Sequence, residues 1–112
     1  MTHEQAMYGI TVVLNRILDD PSTETRTDEE IMTRMQNGFD EADIPLYGND
    51  PLLDAIQEEL IKPNIEYNEE ALQKDRDLDP VQILSLELAI RVLQLCSELI
   101  EKCRRRLRLV KG

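Results

Sequence analysis

The chain has 112 residues, enough for one domain that folds around its own core without disulfides or metals. Acidic side chains outnumber basic ones by 23 to 13, and the resulting net charge of −10 disfavours general binding to nucleic-acid backbones. The absence of any run of about 18 apolar residues predicts no transmembrane helix. Two cysteines without a C-x-x-C motif, together with an N-terminus unlike a secretion signal, favour a cytoplasmic location.

Charge is distributed unevenly along the chain. Residues 19–79 contain 19 acids and 5 bases, whereas residues 80–112 contain 3 acids and 7 bases. We interpret residues 1–112 as a single all-helical domain, with an acidic region over 19–79 and a long helix over 80–110 that has a basic end.

The first predicted element is a helix of about 16 residues. Thr2 and Gln5 fit a capping box at its start. Apolar residues then recur at helical spacing until Asp20, where the following Pro21 disfavours the helical state. The polar stretch 19–28 is predicted to be a loop.

The second helix is predicted over about residues 28–43. Thr27 with Glu30 forms another capping box, and the three acids of the first turn complement the positive end of the helix dipole. Residues 44–48 are typical of a turn.

The third helix is predicted to open at Asp50, with Pro51 at its first position. Pro63 is expected to end it, because an interior proline breaks the helical hydrogen-bond ladder. Residues 64–79 are mostly polar, and we predict no regular structure there beyond a short turn capped by Asn68.

The last helix is predicted to begin with Asp79 as cap and Pro80 as first residue, and to continue without a break for about 30 residues. Two apolar series seven residues apart alternate along it, which is the seam spacing of a packed helix pair. The residues of this seam are Leu86, Ala89, Leu93, Cys96, Ile100, Cys103, Leu107 and Val110.

This helix has more apolar surface than one short neighbour can cover. We therefore predict three shorter helices packed on it and a homodimer contact through the seam. The alternative is a monomer in which the other three helices wrap the long one.

Catalytic and metal-binding patterns are weak. The only histidine is His3, so no second imidazole could serve as a base for a nucleophile, and we predict no enzyme and no cofactor. The run 75–79 has the D-x-D-x-D start of a calcium loop, but the loop's sixth and twelfth positions hold Pro80 and Leu86 in place of glycine and glutamate. Asp79 is better interpreted as a helix cap.

Two further features have structural and functional interpretations. Cys96 and Cys103 are interpreted as small buried residues, or as a cysteine contact across a dimer. A basic end complements the helix dipole, or contacts phosphate or an acidic surface. Its residues are Arg104, Arg105, Arg106, Arg108 and Lys111.

The acidic region is the strongest functional lead. Its net charge of −14 on about 60 residues matches the phosphate charge on roughly 24 Å of duplex DNA. It favours binding to a basic protein surface, although acidic residues are also common on any solvated helix face.

The order of several short segments resembles that of small phage antirestriction proteins that mimic DNA, in layout over residues 8–100. The segments are Thr27-Asp28-Glu29-Glu30-Ile31, Ala42-Asp43-Ile44-Pro45-Leu46-Tyr47, Asn49-Asp50-Pro51-Leu52-Leu53, Ile65-Glu66-Tyr67 and Asp79-Pro80-Val81-Gln82-Ile83-Leu84. The resemblance implies a dimeric, all-helical, non-enzymatic inhibitor of restriction enzymes, acting in the host cytoplasm. The chain departs from that family in being less acidic and in having a basic C-terminal end.

These observations predict a non-catalytic acidic protein that binds a basic surface on a partner, such as a nucleic-acid-binding protein. As the resemblance implies, the partner would be a host defence nuclease. The residues that the resemblance implies at the contact are Asp28, Glu29, Glu30, Asp40, Glu41, Asp43, Asp54, Glu58 and Glu59.

Two other classes remain open: a structural or assembly subunit of a phage or nucleoprotein complex that uses the long helix, and a DNA-binding regulator that uses the basic end.

Overall fold

The structure, a computed structural model, describes the backbone of residues 1–111 and the side chains of residues 1–104. Over that range the chain is all-helical, as predicted, and contains no strand. Its elements in chain order are α1 (His3–Asp19), a 3-10 helix (Pro21–Thr25), α2 (Asp28–Glu41), α3 (Asp50–Ala55), a π-helical stretch (Ile56–Ile61), α4 (Lys62–Lys74) and α5 (Pro80–Lys111).

Both predicted capping boxes are present. The Thr2 hydroxyl accepts the backbone N–H of Gln5 at 3.1 Å, and the Gln5 side chain accepts the N–H of Thr2 at 2.8 Å. Thr27 and Glu30 make the equivalent pair of bonds at 3.2 and 3.1 Å. Each box satisfies backbone donors that lack a partner in the first helical turn, which explains why α1 and α2 begin where the sequence predicts.

The connection between α1 and α2 is more ordered than the predicted loop. Asp20 ends α1 in an extended conformation and caps the 3-10 helix, where its carboxylate accepts the backbone N–H of Ser22 at 2.9 Å. That bond, together with the Ser22 hydroxyl and the Arg34 guanidinium, lowers the pKa of Asp20 to about 2. The segment is therefore fixed by hydrogen bonds to one charged cap.

The prediction that Pro63 ends the third helix is wrong, as is the prediction of little structure after it. α3, the π-helical stretch and α4 follow one another without a gap, and the helix continues to Lys74. An interior proline normally clashes with the carbonyl four residues earlier. Here the π-helical stretch precedes Pro63, and its wider turns relieve that clash. The Asn64 amide also donates to the Leu60 carbonyl at 2.6 Å.

α5 is unbroken over 32 residues, as predicted. Asp79 caps it by accepting the backbone N–H of Gln82 at 2.8 Å, and the Gln82 side chain accepts the N–H of Asp79 at 2.9 Å. A helix of this length spans about 48 Å, which accounts for the 50 Å longest dimension of the molecule. No helix within the described residues has the length and apolar content needed to cross a bilayer.

The core occupies only part of α5. Among the described side chains of α5, the buried ones all lie between 92 and 103, and no residue of 80–91 or of α4 is fully buried. α5 contacts α1, α2, the π-helical stretch and α4. We call α4 together with residues 80–91 the arm. The buried residues of α5 are Val92, Leu93, Leu95, Cys96, Leu99, Ile100 and Cys103.

α1 packs closely against α2 at Gly38 and against the segment that follows α2 at Gly9. A Cβ atom at Gly38 would lie 2.7 Å from Cγ1 of Val13, closer than two carbon atoms can approach. A Cβ at Gly9 would lie 3.2 Å from the end of the Ile44 side chain, which can move slightly. The absence of a side chain at Gly38 therefore sets the distance between the two helices.

Gly38→Ala is expected to lower the free energy of unfolding by about 1–2 kcal/mol, because β-branched Val13 cannot yield without shifting α1. Urea denaturation followed by circular dichroism measures this change. Gly9→Ala is the control and should cost less or raise stability, since alanine is the better helix former. Equal effects at both positions would contradict the close approach at Gly38.

Candidate interaction surfaces

All nine predicted contact acids have exposed side chains, but those at the start of α2 also support the fold. Asp28 accepts a hydrogen bond from Nε of Arg91 at 2.8 Å, and Arg91 also donates to the backbone carbonyl of Arg26 at 2.8 Å. The backbone N–H of Thr27 donates to Glu30 and lowers its pKa. Glu29 has no cationic partner within 4 Å among the described side chains.

Two acids of α3, Asp50 and Asp54, share one basic partner. Arg104 forms an ion pair with Asp54 and lies 3.6 Å from Asp50 and 3.3 Å from Glu101. The hydrogen bond to Asp54 raises the pKa of Arg104 above its usual range. Arg104 is the one member of the predicted basic end whose side chain lies within the described range, and it binds acids of its own chain.

The remaining acids of this group lie one turn further on. Glu58 pairs with Lys62 at 3.1 Å, one helical turn away. Neighbouring Glu59 is exposed and has no such partner among the described side chains. The acids of the α3 region are therefore only partly neutralised.

The predicted acids do not form one continuous patch. Asp28 is held by Arg91 and Asp54 by Arg104, and these two arginines lie about 20 Å apart along α5 and about 140° apart around it. The start of α2 and the start of α3 therefore approach α5 from different sides, and a single flat partner surface would not reach both groups.

The acids at the end of α2 form a separate group, residues 40–43, which we call the α2-end acids: Asp40, Glu41 and Asp43. All three are exposed, and none is within 4 Å of a basic nitrogen of the described side chains. Carboxylates are unfavourable at the C-terminal end of a helix, where the dipole is negative. The last turn of α2 contains no base to offset them.

Asp43 also occupies a backbone conformation that favours glycine. Its φ is 55°, in the left-handed region, where it closes α2. The N–H of Ile44 donates to the carbonyl of Phe39 and the N–H of Asp43 to that of Asp40, both at 3.1 Å, which is the Schellman arrangement. An aspartate here costs conformational energy that glycine would avoid.

Asp43→Gly is therefore expected to raise the free energy of unfolding by about 0.5–1 kcal/mol. Thermal or urea denaturation measures the change. Asp40→Gly is the matched control, because it removes the same charge at a helical position and should lower stability by up to about 1 kcal/mol. A loss of stability in Asp43→Gly would contradict this account of the α2 end.

The predicted dimer seam lies mostly inside the single chain. Leu93, Cys96, Ile100 and Cys103 are buried by the chain's own helices, and Leu86 and Ala89 are half-buried. Leu107 and Val110 lie outside the described side chains, as do Arg105, Arg106, Arg108 and Lys111 of the basic end. A contact between copies through the four buried residues would require the core to open.

The two cysteines have the surroundings of small core residues. Burial raises the pKa of the Cys96 thiol to about 12, with a smaller contribution from Cys103. The reactive thiolate form is therefore scarce at neutral pH.

In the native protein we expect Cys96 and Cys103 to react with an aromatic disulfide reagent at least about a hundredfold more slowly than in urea, because the reagent needs both access and a thiolate. Absorbance of the released thiolate measures the rate. Leu84→Cys, at an exposed position of the same helix, should react rapidly and serves as the positive control. Rapid reaction of both native thiols would contradict their place in the core.

Among the described residues of α5, the most exposed apolar side chains lie near its start. Val81 and Leu84 are 71% and 52% exposed, and Tyr67 on α4 is 72% exposed. The sequence contains a sign of this, because α4 offers few apolar residues to a neighbour and has no fully buried residue.

A small pocket of about 150 Å³ lies between α1, α4 and α5. Its floor includes Leu14, Val92 and Leu93, and its rim includes Asn64 and Asn68, whose amides donate to carbonyls of their own helix. No Asp, Glu, His, Lys, Arg, Cys or Tyr side chain lines it.

The acids of 75–79 act in turns and caps. The Asp75 carboxylate accepts the N–H of Asp77 at 3.0 Å, and Asp79 caps α5, as the sequence predicted. Within the described part of the chain, no three His, Cys, Asp or Glu side chains are grouped so as to hold a metal ion.

Comparisons with protein-family models, with curated proteins and with solved structures find no match to this chain.

Proposed function

We propose that this protein is a non-catalytic interaction protein that uses exposed carboxylates to bind a basic surface on a partner protein. The observation that carries the proposal is the group of α2-end acids. These three carboxylates have no basic partner among the described side chains and lie where the helix dipole disfavours them, and the backbone of Asp43 is in addition left-handed. No ion pair among the described side chains accounts for their charge, and binding to a basic partner is the role that we assign to it.

The location of the other acids supports the same choice of contact. Asp28, Glu30, Asp54 and Glu58 are already engaged by arginine, lysine or a helix cap. Their charge is partly offset and their side chains are held in place. A basic partner would gain more from the α2-end acids, which it would not have to remove from an existing ion pair.

In its finer form the proposal is that the basic surface belongs to a nucleic-acid-binding protein, such as a host defence nuclease in the cytoplasm. Support comes from the net charge of −10 and from the resemblance in layout to phage antirestriction proteins. Carboxylates in place of phosphates would then occupy a groove that normally binds DNA.

A second candidate is an assembly subunit, in which three shorter helical elements pack on α5. Another chain or a second copy would then cover the apolar surface of α5 that these elements leave exposed. The exposed Val81 and Leu84 favour it. Apolar contacts of this kind do not weaken with added salt, whereas contacts between exposed charges do.

The acidic contact is tested by affinity capture from a host lysate at about 0.05 M and about 0.5 M salt. The α2-end variant combines Asp40→Asn, Glu41→Gln and Asp43→Asn. Its matched control combines Glu66→Gln, Glu69→Gln and Glu98→Gln, which removes the same charge from exposed positions elsewhere. We expect the α2-end variant to bind the captured basic protein at least about tenfold more weakly, equivalent to about 1.4 kcal/mol, and the control to bind like the wild type.

Equal binding by the two variants would contradict the α2-end contact. Capture that persists unchanged at high salt would favour the assembly subunit. If the captured protein is a nuclease, the wild type should protect plasmid DNA from it and the α2-end variant should not.

A further inference from the structure

The arm carries an apolar strip that the single chain covers only in part. Val81 and Leu84 are exposed and Leu88 is half-buried, at positions i, i+3 and i+7 on one face of α5. Leu88 packs against the edge of the core, so the exposed part of the strip lies at Val81 and Leu84.

The strip continues a face of α5 that is buried further along. Val92, Leu95 and Leu99 extend the same stripe into the core. The 3-10 helix lies beside this stripe. Its residues Glu24 and Thr25 line an open groove of about 470 Å³ together with Leu84, Glu87, Leu88 and Arg91 of α5. Towards the start of α5 the stripe leaves this groove, and Val81 is 71% exposed.

The strip and the groove fit each other on two copies of the chain. Val81 is exposed on α5. Leu84 and Leu88, three and seven residues further along the same helix, line the groove. If two α5 helices cross antiparallel with a twofold axis near Leu84, Val81 of each copy lies against Leu88 of the other. Such a contact is self-complementary, as a twofold dimer interface must be.

Charge at the two ends of the strip favours the same orientation. Asp77 and Asp79 precede it and Arg91 follows it, so the antiparallel crossing brings the acidic turn of one copy beside Arg91 of the other. Arg91 is one-third exposed and uses Nε and Nη2 for Asp28 and the Arg26 carbonyl, while its Nη1 makes no hydrogen bond to the described residues. A parallel crossing would oppose like charges.

We therefore propose that the arm is a self-association surface, through which a second copy binds antiparallel across Val81, Leu84 and Leu88. This surface differs from the heptad seam, whose described part is largely buried in the single chain. It is also independent of the acidic contact, since it uses none of the α2-end acids.

The first test is sedimentation equilibrium at physiological salt, which screens the mutual repulsion of two acidic chains. The strip is short, so we expect a weak dimer with a Kd of about 0.1 mM. Leu84→Glu should raise the Kd at least about tenfold, because it places a carboxylate in the apolar contact. Gln94→Glu, an equal added charge at an exposed position of α5, should leave the Kd nearly unchanged.

The second test locates the twofold axis. Leu84→Cys should form an intermolecular disulfide under mild oxidation, since the two copies meet at that residue, while Gln94→Cys should form little. The native cysteines are buried and should not compete.

A monomer at all concentrations up to about 1 mM would overturn the proposal and leave the strip to a different protein. A dimer that Leu84→Glu does not weaken, or equal crosslinking of the two cysteine variants, would also overturn it.

Discussion

Burial of α5 between residues 92 and 103 is the constraint on which the rest of the structure depends. Seven side chains in this stretch are buried against the other helices, a gross contribution on the order of 10 kcal/mol. Arg91 and Arg104 flank the stretch and bind acids of α2 and α3. Exposed ion pairs contribute about 0–1 kcal/mol each, so the apolar contact holds the helices together and the arginines orient them.

The same constraint separates the molecule into two chemically different regions. Where α5 is buried, the chain has no apolar side chain to offer a partner. Where α5 leaves the core, the arm exposes Val81 and Leu84, and the α2-end acids lie on a different helix. An apolar contact and an acidic contact can therefore coexist, because they use different surfaces.

Local hydrogen-bond chemistry made much of the fold predictable. The caps at Thr2, Thr27 and Asp79 depend on residues three positions apart, so the sequence alone predicts them. The prediction that the helix ends at Pro63 is wrong, because whether a proline ends a helix depends on the turns before it. A π-helical stretch precedes Pro63, and such a stretch leaves no clear sequence pattern.

The candidate surfaces were less predictable, because they depend on tertiary contacts. The exposed acids could be named from composition, but their pairing with Arg91 and Arg104 joins residues more than 45 positions apart. The heptad pattern of α5 correctly indicates a packed helix, yet it does not distinguish the chain's own helices from a second copy. Asp40, Glu41 and Asp43 could be named from the sequence, but the left-handed backbone of Asp43 and the absence of an ion pair to these acids among the described side chains are visible only in the structure.

The place of α5 in the chain has a consequence for biosynthesis. Residues 92–103 provide the buried layer against α1 and α2, yet they leave the ribosome after both of those helices. Until they emerge, apolar residues such as Ile10, Met35 and Phe39 lack part of their cover. The nascent chain therefore completes its core late and relies on its many like charges to stay apart from neighbouring chains in the meantime.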